Sequence, residues 1–514
     1  MTSSSTEPTM DDAWLESRVV DVVNRWPAVG LAVGIVRDGR LASFVGHGVE
    51  DIDSRTPITE DTGFRVASIT KTITAVAVMQ LWEQAMIDLD APVHEVLRAY
   101  RLVPKDPTWR PATIRDLLTH TAGVPECVPA HRALLPDFGE SVELGRPLRT
   151  LAEYYGGVLP VVAEPGTRFR YGNHSFATLG QIVEDVSGEP LERYLRDHVF
   201  EPLGMDRSDL VRTPEIVSRL ATGYEMSRRG PKEVQPRELV TTGAASVYST
   251  PRDMARYVAA LVGGGANEHG VVLKPETVAM MFEPQYRPDP VIAGMGLAFW
   301  RADLGGRPAV EHQGTLPGFH SQLFLAPEDG VAVMAFTNGS WQPDFWLPFE
   351  ASGLLRQLLS IPDDVIRDDV PRCPDLWRDL CGWYRVGGPF TDLRVRGMAG
   401  AGVEVFVREG QLMLRMMTPV PMLYRGFALH PDDPDDPYVF RVDMGAFGLG
   451  TMRIVFRQDL GRTTRLHLEV MPMTFHKGSD VSNPRRWAMG ALGALAVGAA
   501  AAVIRRGGDR GAAA

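Results

Sequence analysis

Two hairpin signatures, one early and one late, constrain the fold of this chain more than any other feature. Gly30 to Val36 and Leu41 to Val45 are apolar runs separated by Asp38-Gly39. That dipeptide favours a tight turn because both residues tolerate a left-handed backbone. A second pair, Ser321 to Leu325 and Val331 to Phe336, is joined across Asp329-Gly330. About 275 residues separate the two pairs, and several helical periodicities fill the interval, including Thr72 to Glu83. Another helical pattern, Trp14 to Val23, precedes the first pair. A sheet begun early and completed late, with helices inserted between, predicts an α/β (α+β) sandwich. Its antiparallel sheet is flanked by helices, and a cleft separates it from a helical lobe.

The rest of the 514 residues divides by composition. Residues 1–11 read as a disordered lead-in rich in Ser, Thr and acids. The sandwich occupies 12–362. Pro and Asp cluster at Ile361-Pro362-Asp363-Asp364 and again at Asp368-Asp369-Val370-Pro371, so 363–372 is expected to be a linker. From Cys373 the pattern turns to alternation, as in Gly402 to Val407, Gln411 to Arg415 and Arg465 to Glu469. Residues 373–480 are therefore expected to form a small β-rich domain, a barrel or a sandwich. The Pro/Asp run His430 to Pro437 is expected to be one of its exposed loops.

Trp487 to Ile504 is uncharged and lies between Arg485-Arg486 and Arg505-Arg506. A helix of that length spans roughly 27 Å, close to the thickness of a bilayer's hydrocarbon. It is a candidate C-terminal transmembrane helix, rich in Ala and Gly that would suit close helix packing; the alternative is an Ala-rich helix docked on the protein, or a frayed tail. The polar, acidic start has neither a basic nor an apolar signal region, so no secretory signal is expected. With both features, the expectation is membrane association through 487–504 and a catalytic domain facing the cytoplasm.

A net charge of −11 excludes the basic footprint that a nucleic-acid binder needs. Three cysteines, Cys127, Cys373 and Cys381, imply no disulfide framework. The histidines are scattered without a ligand-spaced pair, so no metal site and no cofactor are expected.

The chemistry concentrates in three places. Ser68 and Lys71, in Phe64-Arg65-Val66-Ala67-Ser68-Ile69-Thr70-Lys71, are spaced to share one helix face. Free N–H groups of a first helical turn favour developing negative charge, and a neighbouring lysine can activate the serine. Tyr171-Gly172-Asn173 is a turn that can present a phenol and an amide together. The phenol can relay the serine's proton, and the amide can fix a substrate carbonyl or hold the lysine. In Glu311-His312-Gln313-Gly314-Thr315, Gly314 admits close approach to the backbone. The amide of Thr315 pairs with that of Ser68 as an oxyanion hole, and His312 assists proton transfer.

In this order the three motifs resemble the serine β-lactamase-like hydrolases: class C β-lactamases, D-alanyl-D-alanine carboxypeptidases, and related esterases and D-amino-acid amidases. The resemblance runs from about Val29 to Gly339. It extends to Ile114 to Gly123, Phe200 to Met205 and Thr242 to Thr250. It implies a serine hydrolase working through an acyl-enzyme. Ser68 is the nucleophile, Lys71 and Tyr171 the base pair, and Asn173, Gly314 and Thr315 the substrate-binding residues. His120 is implied to be structural. Class C β-lactamases carry lysine where this chain has His312. The histidine is similar to the esterase and D-aminopeptidase-like branch, so a small ester or amide is the expected substrate. The alternatives are a D,D-peptidase or β-lactamase acting on peptidoglycan-type substrates, and a catalytically silent membrane scaffold. Leu380-Cys381-Gly382-Trp383-Tyr384 resembles the opening of lipocalin-like barrels appended to such hydrolases.

Overall fold

The computed structural model describes residues 12–129, 131–132, 135, 139–341, 346–387, 400–418, 421–445, 450–479, 483 and 485. Two compact units emerge, with the main break between Val365 and Ile366.

The first unit opens with α1 (Asp12–Arg25), β1 (Gly30–Arg37) and β2 (Arg40–Gly48). Asp38 and Gly39 carry φ of 52° and 72°, so the turn has left-handed backbone at both central positions. Next come α2 (Thr70–Glu83), α3 (Asn173–Ser187) and α4 (Pro251–Val262). The late strands are β3 (Trp300–Asp303), β4 (Pro308–Leu316), β5 (Phe319–Ala326) and β6 (Val331–Thr337), followed by α5 (Trp346–Leu358). The sheet order is β3-β4-β5-β6-β1-β2, and each neighbouring pair is antiparallel. The late strands therefore close onto the early hairpin, with Val33 opposite Ala335.

The late hairpin is not a two-residue turn. Ala326 pairs with Val331, leaving a four-residue loop. Pro327 to Asp329 form a helical turn that Gly330 ends at φ 64°. Proline at the first position of a helical turn and a left-handed glycine at its end suit that geometry.

Both faces of the sheet are covered, which is why its central strands read as continuous apolar runs. Ala32, Val36, Leu323, Leu325, Met334 and Phe336 pack into one core with α2 and α4. Leu31, Val33, Ile35, Phe324, Val333 and Ala335 pack into the other with α1 and α5. The period of two along β1 and β6 sorts side chains between the layers.

The second unit is a closed eight-stranded barrel. Its strands are β7 (Gly382–Val386), β8 (Val403–Arg408), β9 (Gln411–Met416), β10 (Phe427–Pro431), β11 (Val439–Asp443), β12 (Thr451–Asp459), β13 (Arg462–Leu468) and β14 (Met471–Lys477). Tyr384 opposite Lys477 joins the first strand to the last. The interior is filled by side chains including Tyr384, Phe440, Phe456 and Phe475. The Leu-x-Gly-x-Tyr opening is a local brace, in which the Tyr384 hydroxyl donates to the Leu380 carbonyl at 2.7 Å. The Pro/Asp run is not wholly exposed. Asp432 is buried and takes a bidentate bond from Arg441 (2.8 and 3.1 Å) and a third bond from Arg453 (2.9 Å). A carboxylate can leave water only with such partners.

The expected membrane helix, Trp487 to Ile504, lies outside the described residues, as does the lead-in 1–11. Among the described residues no helix is long and apolar enough to cross a membrane.

Candidate active site

Ser68 sits in a 3₁₀ turn, Ala67–Ile69, that leads into α2. Ala67, just before it, has φ 49°, a left-handed conformation that costs a non-glycine residue about 1–2 kcal/mol. The surroundings hold it there. The Val66 N–H donates to Val247 O at 3.0 Å, and the Val66 carbonyl accepts from Ser321 Oγ (2.8 Å) and from the Ile69 N–H (3.2 Å). Ser68 itself is partly exposed.

Residues Thr70 to Leu81 of α2 are all buried, so its polar side chains need internal partners. Thr70 Oγ1 accepts from the Val247 N–H, Thr72 receives the Tyr257 hydroxyl, and Thr74 donates to Gly243 O. Lys71 is 0% exposed. Its Nζ lies 2.9 Å from Ser68 Oγ, 2.9 Å from Asn173 Oδ1 and 3.0 Å from Ala244 O. Two of these three are obligate acceptors and fix two N–H directions. The third partner, a hydroxyl, can accept or donate. The proton between Ser68 and Lys71 can therefore sit on either atom while the other two bonds stay in place.

The second motif meets the first at this lysine. The Tyr171 ring centroid is 5.0 Å from Lys71 Nζ. The ring stacks on Trp300 at 6.0 Å and tilts against His120 at 4.5 Å. Asn173 begins α3 and is committed on both sides, with Oδ1 to Lys71 and Nδ2 to Glu140 Oε2 at 2.9 Å. Of the two jobs open to this amide, the structure gives it the lysine.

Gly314 lies on β4 against the serine turn. A Cβ there would fall well inside van der Waals contact of Ser321 Oγ and Val66 O, and 3.0 Å from Ala67 Cβ. Only glycine lets the strand approach this closely. The pairing of β3 with β4 ends at Trp300–Glu311, so Gly314 and the exposed Thr315 lie beyond it, on a stretch of β4 that β3 does not cover.

His312 is 0% exposed. Burial first, and the Lys71 charge second, push its pKa down to about 3, so it is neutral. Nδ1 lies 2.7 Å from Gln313 O. A carbonyl only accepts, so Nδ1 carries the hydrogen and Nε2 keeps its lone pair. Among the described residues Nε2 has no hydrogen-bond partner. This position offers a neutral hydrogen-bond acceptor, not a fixed positive charge.

Two further residues brace the site: His120, expected to be structural, and Glu140, which no motif announced. His120, itself at φ 56°, holds the tyrosine turn: its carbonyl accepts from the Arg170 N–H (2.7 Å) and its Nδ1 from the Gly172 N–H (3.4 Å). Burial drives its pKa well below the ordinary histidine value, with the Lys71 charge contributing next. Glu140, a buried carboxyl against Asn173, falls in the stretch Glu126–Arg149, where the sequence shows no motif.

A buried lysine beside a serine that follows a left-handed alanine, on a helix under an antiparallel sheet, defines a class: serine hydrolases of the Ser-x-x-Lys type. The chain belongs to the Beta-lactamase family, whose profile matches residues 19–345, well over half its length. It is 26% identical over 377 residues to penicillin-binding protein 4 of Amycolatopsis lactamdurans, covering 70% of this chain and 94% of that one. The octameric penicillin-binding protein homologue of Pyrococcus abyssi shares the fold, with a TM-score of 0.57 and 23% identity. That match covers 91% of this chain and all of the other. EstCE1, a hydrolase with promiscuous acyltransferase activity, matches with a TM-score of 0.53 and 25% identity over 68% of this chain and 98% of its own. Of three further curated relatives the chain spans 61–69% of their length.

Proposed function

We propose that this enzyme hydrolyses a small ester or amide through an acyl-enzyme on Ser68. Ser68 Oγ attacks the acyl carbonyl and passes its proton to Lys71, with Tyr171 completing the relay to the leaving alcohol or amine. The backbone amides of Ser68 and Thr315 bind the oxyanion. Water then enters, and its proton follows the same path in reverse as the acid is released. His312 accepts a hydrogen bond at Nε2 during one of these transfers, and Gly314 admits the acyl group to the strand.

The observation that carries this reading is the pair of obligate acceptors on Lys71, which aim its remaining valence at Ser68 Oγ. The neutrality of His312 supports an ester or amide over a penicillin. A substrate carboxylate finds no fixed cation at that position.

The test compares hydrolysis of a short-chain p-nitrophenyl ester and of a chromogenic cephalosporin by the wild type and Ser68→Ala. Ester turnover abolished by the substitution, with little lactam turnover, is expected. Strong lactam turnover would sink the ester preference. Ester turnover unchanged in Ser68→Ala would sink the acyl-enzyme itself.

A further inference from the structure

Glu140 has no part in the reaction described so far, yet it is built into the site. It is 2% exposed. Its Oε2 accepts from Asn173 Nδ2 at 2.9 Å and from Thr241 Oγ1 at 3.1 Å, and its carbonyl accepts from the Val240 N–H at 2.8 Å. Two segments distant in sequence thus clamp one carboxyl group. An amide that turns its N–H toward a carboxylate must turn its oxygen the other way. For Asn173 that way is Lys71 Nζ, 2.9 Å off. Carboxylate, amide, amine and hydroxyl form one line ending at Ser68 Oγ.

The titratable groups around this line come from several elements. His174 Nε2 of α3 stands 3.8 Å from Glu140 Oε1. Tyr154 and Tyr155, from the short helix Leu151–Tyr155, feel the Glu140 charge and are themselves pushed up by burial. Tyr171, His120 and His312 surround Lys71, and both histidines are held neutral. Of these groups Glu140 is the acid. Burial favours the uncharged amine of a lysine, and a nearby negative charge favours the ammonium. The two effects oppose each other at Lys71.

We propose that Glu140 is a positioning residue of the reaction: through Asn173 it fixes the acceptor that holds Lys71, and its charge sets the pH at which Lys71 gives up its proton. The proposal rests on the acyl-enzyme reading above. Glu140 touches neither Ser68 nor substrate in this scheme and acts through the amide.

The experiment uses the full chain, Glu140→Gln, which is isosteric and uncharged, and Thr241→Val, which removes a bond to Glu140 but keeps its charge. Two rates are followed against pH: kcat/KM on the p-nitrophenyl ester, and labelling of Ser68 by an alkyl fluorophosphonate. Removing the negative charge weakens the ammonium, so the acid limb of both profiles moves to lower pH in Glu140→Gln, by about one unit or more. Thr241→Val slows both rates with the limb in place. A Glu140→Gln limb that coincides with the wild type, at any rate, overturns the proposal and leaves Glu140 a packing residue. If Glu140→Gln does not fold, Glu140→Asp serves: its charge keeps the wild-type limb at a reduced rate, and a displaced limb overturns the idea. Labelling separates the two readings. A wild-type Ser68 that takes no probe at any pH overturns the acyl-enzyme together with this inference. Normal labelling with an unmoved limb overturns this inference alone.

Discussion

Lys71 has more acceptors than freedom. With Asn173 Oδ1 and Ala244 O fixed, exchanging a proton with Ser68 requires no rotation of either side chain. Lys71→Met keeps most of the length of the side chain and removes both the base and the cation. The expected loss in kcat/KM on the ester is about 10²–10⁴-fold, the usual range for a positioned acid–base group. A loss under tenfold would return the proton transfer to His312 or Tyr171. The buried histidines also set a pH dependence of stability. His312 titrates near 3 in the folded chain and near 6.5 unfolded, so the unfolded state binds the extra proton between those values. Stability is full above about 6.5 and declines as pH falls toward 3, and His120 adds in the same direction. Glu311 has the opposite sign. Burial raises its carboxyl to about 7, so its contribution is present below the unfolded value of 4.5 and is lost as pH rises through 7. Glu311→Gln is therefore expected to raise Tm at pH 8 and to change it little at pH 4, which thermal melts at the two pH values would check.

At the scale of elements, the serine turn and the hairpins give separate tests. Ser321 Oγ anchors the Val66 carbonyl, one of the bonds that keep Ala67 left-handed. Ser321→Ala leaves that carbonyl with the Ile69 N–H alone, while Ser68 and Lys71 remain. The expected result is a several-fold fall in kcat/KM, and a stability loss of about 0.5–1.5 kcal/mol for the lost hydrogen bond. Gly39 has open space around it, so Gly39→Ala meets only the cost of the left-handed backbone, about 1 kcal/mol, with activity unchanged. Chemical denaturation of both variants beside their kinetics distinguishes them. The early hairpin was legible in advance because a two-residue Asp-Gly turn is decided within four residues. The late one differed because Pro327 and Gly330 enclose a helical turn, which alternation in the strands does not reveal. The three candidate motifs stood out because each is a short run with its own chemistry. Glu140 did not, because its partners, Asn173 and Thr241, lie 33 and 101 residues away and no local pattern links them. Asn173 likewise showed its residue type but not which neighbour would claim its oxygen.

At the scale of the whole molecule there are two units, and they were unequally legible. Alternation marked the barrel's strands, but closure depends on Tyr384 meeting Lys477 across almost the whole unit, which only folding brings about. Each unit buries apolar side chains of its own, so unfolding by denaturant is expected to show two transitions when followed by circular dichroism. Asp432→Asn removes the carboxylate that pairs with Arg441, itself buried. One midpoint is expected to fall, by about 3–5 kcal/mol in stability, and the other to stay. A single transition in both proteins would show that the units melt as one.

The antiparallel pairing of β1 with β6 also governs how the chain is made. Translation at about 5–20 residues per second separates the emergence of those strands by about 15–60 s. Throughout that interval β1 has its hairpin mate but not its inner neighbour, and its apolar edge is available to any passing strand. A nascent chain stalled before β6 would therefore be expected to engage holding chaperones, and one released past Thr337 to let them go.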